Sequence, residues 1–244
     1  MTPVDNSFQP LLQVARVLTW GALALLAYGV SAWTVSQPWF ALRSIEVVTP
    51  VTHVTETQVR LVAERHVRGT FFTVGLDRVR QGLEKLPWVR EARVERHWPD
   101  TLVVSITEHV PLARWNRDAL VNQYGEVFAA ASNQDLPRFS GPEDSSVEVT
   151  QAWQRFQAQL APLGHAVSEL HLSSRRAWQL RLDNGTHIVL GRDEPEQRLA
   201  RFTAVYPRLF SAPATGPAYV DLRYVDGFAI RMPGGANPFE PSKS

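Results

Sequence analysis

The sequence predicts an α+β chain in three parts: one membrane-crossing helix, a small strand-helix-helix-strand-strand unit, and a longer strand-rich unit. Three observations carry this reading. No Asp, Glu, Lys or Arg occurs in the 26 residues from Val17 to Leu42, and about 20 apolar helical residues span a bilayer's hydrocarbon core. Beyond that run, apolar residues recur first with helical spacing and then with the period of two that marks half-buried strands. Several turn-forming dipeptides then divide the second half into short strands.

The membrane segment comes first. Trp20 lies near one end of it, and Trp33, Trp39 and Phe40 near the other, where amphipathic rings favour the headgroup boundary. A cleaved signal peptide is the rival reading, since Val30-Ser31-Ala32 has the small-residue form of a cleavage site. Against it, Arg16 is the only base among the first 16 residues, and the apolar run overshoots a signal peptide's core. Arg16 against Arg43 leaves the orientation open.

From Ile45 the pattern turns globular. Ile45-Glu46-Val47-Val48 reads as a strand, and Thr55-Glu56-Thr57-Gln58 has the form of a capping box, so a helix starts there. Val59, Val62, Ala63 and His66 make its buried stripe, and Gly69 ends it. A second helix sets Leu76, Val79, Leu83 and Leu86 on one face and is stopped by Pro87. Val89 to Arg96 and Thr101 to Glu108 follow as strands around a His97-Trp98-Pro99-Asp100 turn, with Leu102, Val104 and Ile106 on one face.

After Val110-Pro111-Leu112 the strand-rich unit begins. Ala119 to Asn122 and Glu126 to Phe128 form a hairpin about Tyr124-Gly125, and a helix runs from about Val147 to Leu160. Trp178 to Leu182 and Thr186 to Leu190 flank Asp183-Asn184-Gly185, which has the residues a tight hairpin turn prefers. Pro195 opens a helix striped by Leu199, Phe202 and Tyr206, which Pro207 should end or kink. Tyr219 to Tyr224 and Gly227 to Arg231 are the last strand pair, turned at Asp226-Gly227.

Composition narrows the function. With 25 Lys+Arg against 24 Asp+Glu there is no basic excess for nucleic acid. The absence of cysteine removes disulfides, thiolate metal sites and cysteine nucleophiles. Neither a nucleophile elbow, a phosphate loop, a dinucleotide fingerprint nor a His-Glu-x-x-His pair is present. His165 and His171, six apart around Glu169, do not share a helix or strand face with ligand spacing. Glu143-Asp144 and Asp193-Glu194 are explained by solvation and helix-dipole complementarity, and Arg90, Arg93 and Arg96, interleaved with Glu91 and Glu95, by an ion-paired surface. No catalytic residue, metal, cofactor or small-molecule substrate is expected. The final strand is the informative feature, because a sheet edge left there offers backbone groups to an incoming strand. Arg223 and Tyr224 beside it are of interface hot-spot type, although Tyr224 is equally readable as core and Arg223 as solvated.

Several stretches carry a family resemblance: Leu86-Pro87-Trp88-Val89, Trp98-Pro99-Asp100-Thr101-Leu102, Gly125-Glu126-Val127-Phe128, Trp178-Gln179-Leu180 and Tyr219-Val220-Asp221-Leu222-Arg223-Tyr224. In these the chain resembles the FtsQ/DivIB family of bacterial cell-division proteins, over nearly everything after the apolar run. The resemblance implies a cytoplasmic start at 1–16, a transmembrane helix at 17–39, a periplasmic POTRA domain at 43–110, a β domain at 111–232 and a disordered tail at 233–244. It further implies a noncatalytic inner-membrane protein of the division septum that links early and late division proteins. In the family the β domain receives membrane-proximal segments of FtsB and FtsL by strand addition at the last strands, and the POTRA domain and membrane helix are open to other division proteins. Partner-binding positions carry over onto Arg175, Arg223 and Tyr224, with Phe228 and Met232 completing the expected set. Met232 stands where a family member has tryptophan, and methionine can adapt its shape to keep an apolar contact. The alternative is a POTRA-type periplasmic chaperone or envelope-assembly factor. A barrel in the same chain would need a series of amphipathic strands after Met232.

Overall fold

A computed structural model describes residues 9–210, 216–224 and 227–235. Helix α1 runs from Gln9 to Val35, and Pro38–Phe40 form a separate 3-10 turn. Its stretch Gln13–Val35 is long and apolar enough to cross a membrane, and none of it is buried within the chain. The hydroxyls of Thr19, Ser31 and Thr34 donate to the carbonyls four residues earlier, so these three polar groups of the apolar run are satisfied within the helix.

The chain divides into two units, the first ending at Glu108. After α1, the first unit holds β1 (Ser44–Val47), α2 (Glu56–His66), α3 (Leu76–Leu83), β2 (Val89–His97) and β3 (Thr101–Glu108). The expected capping box is formed: Thr55 Oγ1 accepts from the Gln58 N–H, and Gln58 Oε1 accepts from the Thr55 N–H. The three strands lie in the order β1-β3-β2, β1 parallel and β2 antiparallel to β3. Val59 and Ala63 of α2 and Val79 and Leu83 of α3 bury against Leu102, Val104 and Ile106 of β3. One expectation needs correction: α3 ends at Leu83, not at Pro87, because the Glu84 N–H closes the last turn on Arg80 and Leu86 then turns back onto Leu83. Leu86 therefore lies beyond the helix. Glu108 ties the loop before α2, its carboxylate accepting from the N–H groups of Thr52, His53 and Val54 and from His53 Nδ1.

The second unit, from His109, comprises β4 (Pro111–Trp115), β5 (Ala119–Asn122), β6 (Val127–Phe128), β7 (Arg138–Ser140), α4 (Ser146–Leu160), β8 (Val167–Leu172), β9 (Trp178–Leu182), β10 (His187–Gly191), α5 (Pro195–Leu209), β11 (Tyr219–Asp221) and β12 (Ala229–Arg231). They form one nine-stranded sheet in the order β12-β11-β10-β9-β8-β7-β4-β5-β6. Strands β4, β7 and β8 were not legible as strands. β7 has only three residues and is paired parallel to both neighbours, β4 and β8, so the hydrogen bonds that join these three strands come from remote segments. Phe156 and Leu160 of α4 and Leu199 and Phe202 of α5 pack onto Leu180, Leu182, Ile188 and Val220 of the sheet. Pro207 neither ends nor defines the end of α5, which continues to Leu209. Strand β11 is shorter than its sequence pattern: after Asp221 the Leu222 N–H goes to Val189 and the Arg223 N–H to the Asp221 side chain. The turn residue Asp226 and the tail beyond Gly235 lie outside the described residues.

Candidate functional site

Because the side chains of a strand alternate, Phe228, Ile230 and Met232 share one face of the last strand, and all three are half-buried against the helix-covered core. Phe228 meets the Phe202 ring edge-to-face at 5.7 Å. Ala229 and Arg231 face away, exposed, and the Arg231 guanidinium lies 5.2 Å from the centre of the Tyr219 ring. β12 pairs only with β11 among the described residues, so its other side is the edge of the sheet. Arg231 turns its carbonyl inward to the Ala218 N–H, 2.9 Å. The alternation of an extended strand then turns the N–H and C=O of Ile230 outward, toward the open edge.

The register gathers several of the expected residues at one end of this edge. His171 pairs with Gln179, Gln179 with Val189, Val189 with Asp221 and Asp221 with Ala229, so these positions form a row across five strands. Arg175 is exposed in the turn beyond β8, held by bonds between Ser173 and both Arg176 and Ala177. This turn joins β8 to β9, and β10 lies between β9 and β11. Arg223 and Tyr224 follow β11 at the same end, and Tyr224 is 58% exposed, which excludes the reading of it as core. Phe228 enters β12 there. Met232 does not join them: it follows Arg231, whose partner Tyr219 begins β11, so it lies at the opposite end of β12, about 13 Å from Phe228 along the strand.

Arg223 is not simply solvated. Its Nε donates to Asp221 Oδ1 at 2.9 Å and its Nη2 to Oδ2 at 2.6 Å, a two-pronged pairing with a nearly buried carboxylate. These bonds hold the Asp221 carboxyl below its usual range despite desolvation, and they push the guanidinium up. Arg198 adds a second positive charge toward Asp221 while its Nη1 donates to the Leu190 carbonyl. Gly191 makes the arrangement possible, since at φ +80° a Cβ would sit 2.9 Å from Arg198 Nη1 and 3.1 Å from Arg223 Cγ. Beside the edge, Arg198, Arg201, Val205, Leu222 and Phe228 line a cleft of about 370 Å³. Sequence reasoning did not single out Asp221, Gly191 or Arg198. The Asp221-x-Arg223 spacing was the available signal, since residues two apart on a strand share a face.

Of the two histidines considered as ligands, His165 bonds to Asp183 and to the Tyr206 hydroxyl, while His171 faces Ser140. What the site offers is an exposed strand edge, an oriented cation, an exposed tyrosine and an apolar cleft. Comparison with known proteins agrees with the two-unit organisation. Residues 40–109 match the FtsQ-type POTRA domain, and residues 113–223 match the C-terminal region of the cell division protein FtsQ/DivIB. The Nitrosospira multiformis cell division protein FtsQ is 41% identical over 231 residues, covering 93% of this chain and 98% of that protein. Its Burkholderia pseudomallei counterpart is 37% identical, covering 94% of each chain, and that of Coxiella burnetii 35% identical, covering 78% of this chain and 79% of its own. With both folded units matched in order and relatives aligned along nearly their whole length, this chain belongs to the FtsQ/DivIB family of bacterial cell-division proteins.

Proposed function

We propose that this chain is a noncatalytic scaffold of the divisome, a single-pass inner-membrane protein at the septum that captures partners by strand addition at β12. Its N-terminus is cytoplasmic and both folded units are periplasmic. The observation that carries the reading is the position of β12 at the edge of the nine-stranded sheet, with Ile230 turning its backbone groups outward. The partners are FtsB and FtsL, whose membrane-proximal segments would extend the sheet by one strand. Backbone pairing supplies affinity with little demand on sequence, and side chains beside the edge supply specificity. Arg175 and Arg223 favour an acidic segment, Tyr224 offers a large surface with a polar tip, and the cleft at Phe228 accepts an apolar side chain. Met232 supplies a separate apolar contact at the far end of the strand. The POTRA unit and α1 serve other divisome members.

Calorimetric titration of the full chain, in nanodiscs, with a synthetic peptide of the membrane-proximal FtsB segment tests this. Tyr224→Ala should weaken binding by about 1–4 kcal/mol if Tyr224 is a hot spot. Equal affinity of variant and wild type removes Tyr224 from the site, and no binding by the wild type removes the partner assignment.

A further inference from the structure

We infer that the Gly69–Thr73 turn of the POTRA unit is itself embedded in the headgroup layer of the bilayer, giving that unit a second membrane contact beside α1. The inference rests on the reading of α1 as membrane-spanning. Two independent hydrogen bonds fix the level of the turn. Thr70 Oγ1 donates to the Val35 carbonyl at 2.8 Å, and the Phe71 N–H donates to the Phe40 carbonyl at 2.7 Å. Val35 is the last residue of α1. Counting from Val17, the first residue of the charge-free run, a hydrocarbon core of about 30 Å is used up after about 20 residues at 1.5 Å each. Val35 therefore lies at the far boundary of the core, and a hydroxyl bonded to its carbonyl lies there too.

The turn has the side chains that such a layer selects. Phe72 is 48% exposed and Trp39 is 83% exposed. The Phe40 and Phe71 rings each meet Phe72 edge-to-face at 5.2 Å, so Phe72 belongs to an aromatic cluster shared by the POTRA unit and the segment leaving the membrane. In water such exposure costs free energy, whereas at a bilayer surface aromatic rings are the favoured residues. Arg68, exposed one residue before the turn, suits lipid phosphates. The turn is also built to hold its shape: Thr73 Oγ1 accepts from the Thr70 N–H, the Thr70 carbonyl accepts from Thr73 and Val74, and Gly69 adopts φ +105°. Lipid is the occupant that this surface shares with α1, whose last carbonyl, on Val35, accepts from Thr70.

The natural chain has no cysteine, so single cysteines can carry an environment-sensitive fluorophore without background. The full chain is placed in phosphatidylethanolamine/phosphatidylglycerol nanodiscs containing lipids nitroxide-labelled either near the headgroup or deep in the acyl chain. Labels go at Leu26→Cys in mid-helix, at Arg68→Cys just before the turn and Phe72→Cys within it, and at Thr107→Cys, exposed near the far end of β3. Arg68→Cys leaves every aromatic ring in place. The expected result is loss of most fluorescence at Leu26 with the deep quencher and at Arg68 and Phe72 with the shallow one, and none at Thr107. Quenching at Leu26 with Arg68 and Phe72 behaving like Thr107 overturns the inference and leaves the membrane span standing. No quenching at Leu26 overturns the span, and the inference with it.

Discussion

Ile230→Pro isolates backbone pairing at β12 from side-chain recognition. Ile230 is the central residue of the strand and pairs with Val220 of β11. Its inward neighbour Arg231 bonds to Ala218, so the N–H that proline deletes is the outward one, and the ladder to β11 is kept. Edge strands accept proline in this orientation. The side chain is only half-buried against the core, so the folding cost is close to that of a small apolar truncation, about 0.5–1.5 kcal/mol. Binding loses more: one hydrogen bond contributes about 0.5–1.5 kcal/mol net, and a partner carbonyl left unpaired raises the loss to about 3 kcal/mol. Titration of the nanodisc-embedded chain with the FtsB-segment peptide should then show a complex weaker by about two- to 140-fold, with Ile230→Val close to wild type. Wild-type affinity in Ile230→Pro would refute strand addition at this edge, provided thermal unfolding shows that the variant is folded.

Three further outcomes follow from particular contacts. Asp221→Asn leaves Arg223 without its carboxylate; because Arg223 is largely in solvent the stability loss should be modest, about 1–2 kcal/mol, yet peptide affinity should fall because the cation is no longer aimed, and a titration showing unchanged affinity would deny Arg223 a role. Gly125→Ala places a Cβ 2.5 Å from the Val147 backbone at a residue with φ +82°, so a melting experiment should show a loss of about 2 kcal/mol or more. Glu108 is desolvated, which raises its pKa, but the N–H groups of residues 52–54 and the His53 side chain outweigh this and hold it below the ordinary 4.5. Its bonds therefore stabilise the fold fully above about pH 4.5 and are lost as pH falls through the depressed value. Glu108→Gln should be less stable at neutral pH and should lack that acid-side decline in a pH series of unfolding midpoints.

Local signals determined much of this protein. The charge-free run from Val17, the capping box at Thr55 and the alternation of Leu102, Val104 and Ile106 each depend on neighbours within a few residues; the capping box and the alternation are found as their patterns require, and the apolar run forms α1, which begins earlier, at Gln9, and ends at Val35 rather than Trp39. The hairpin at Asp183-Asn184-Gly185 was legible for the same reason. The family resemblance, carried by short strings such as Leu86-Pro87-Trp88-Val89, was legible as well. Sheet order was not. β7 has three residues and two parallel partners, and no period in three residues announces partners remote in sequence. The site divides along the same line. Arg223 and Tyr224 could be named from their strand, but the alignment of Arg175 with them needs the register of β8 to β11, and the separation of Met232 needs the direction of β12. The bond between Asp221 and Arg223 was within reach of strand alternation, whereas Gly191 beneath Arg223 and Arg198 brings together three elements. Sequence alone determined the long apolar helix, the capped helix at Thr55 and the clearest hairpins, since those choices are set by local sterics and periodic burial. The tertiary structure alone decided which strand became the open edge and which side chains stand beside it, since that depends on hydrogen bonds between segments that only folding brings together.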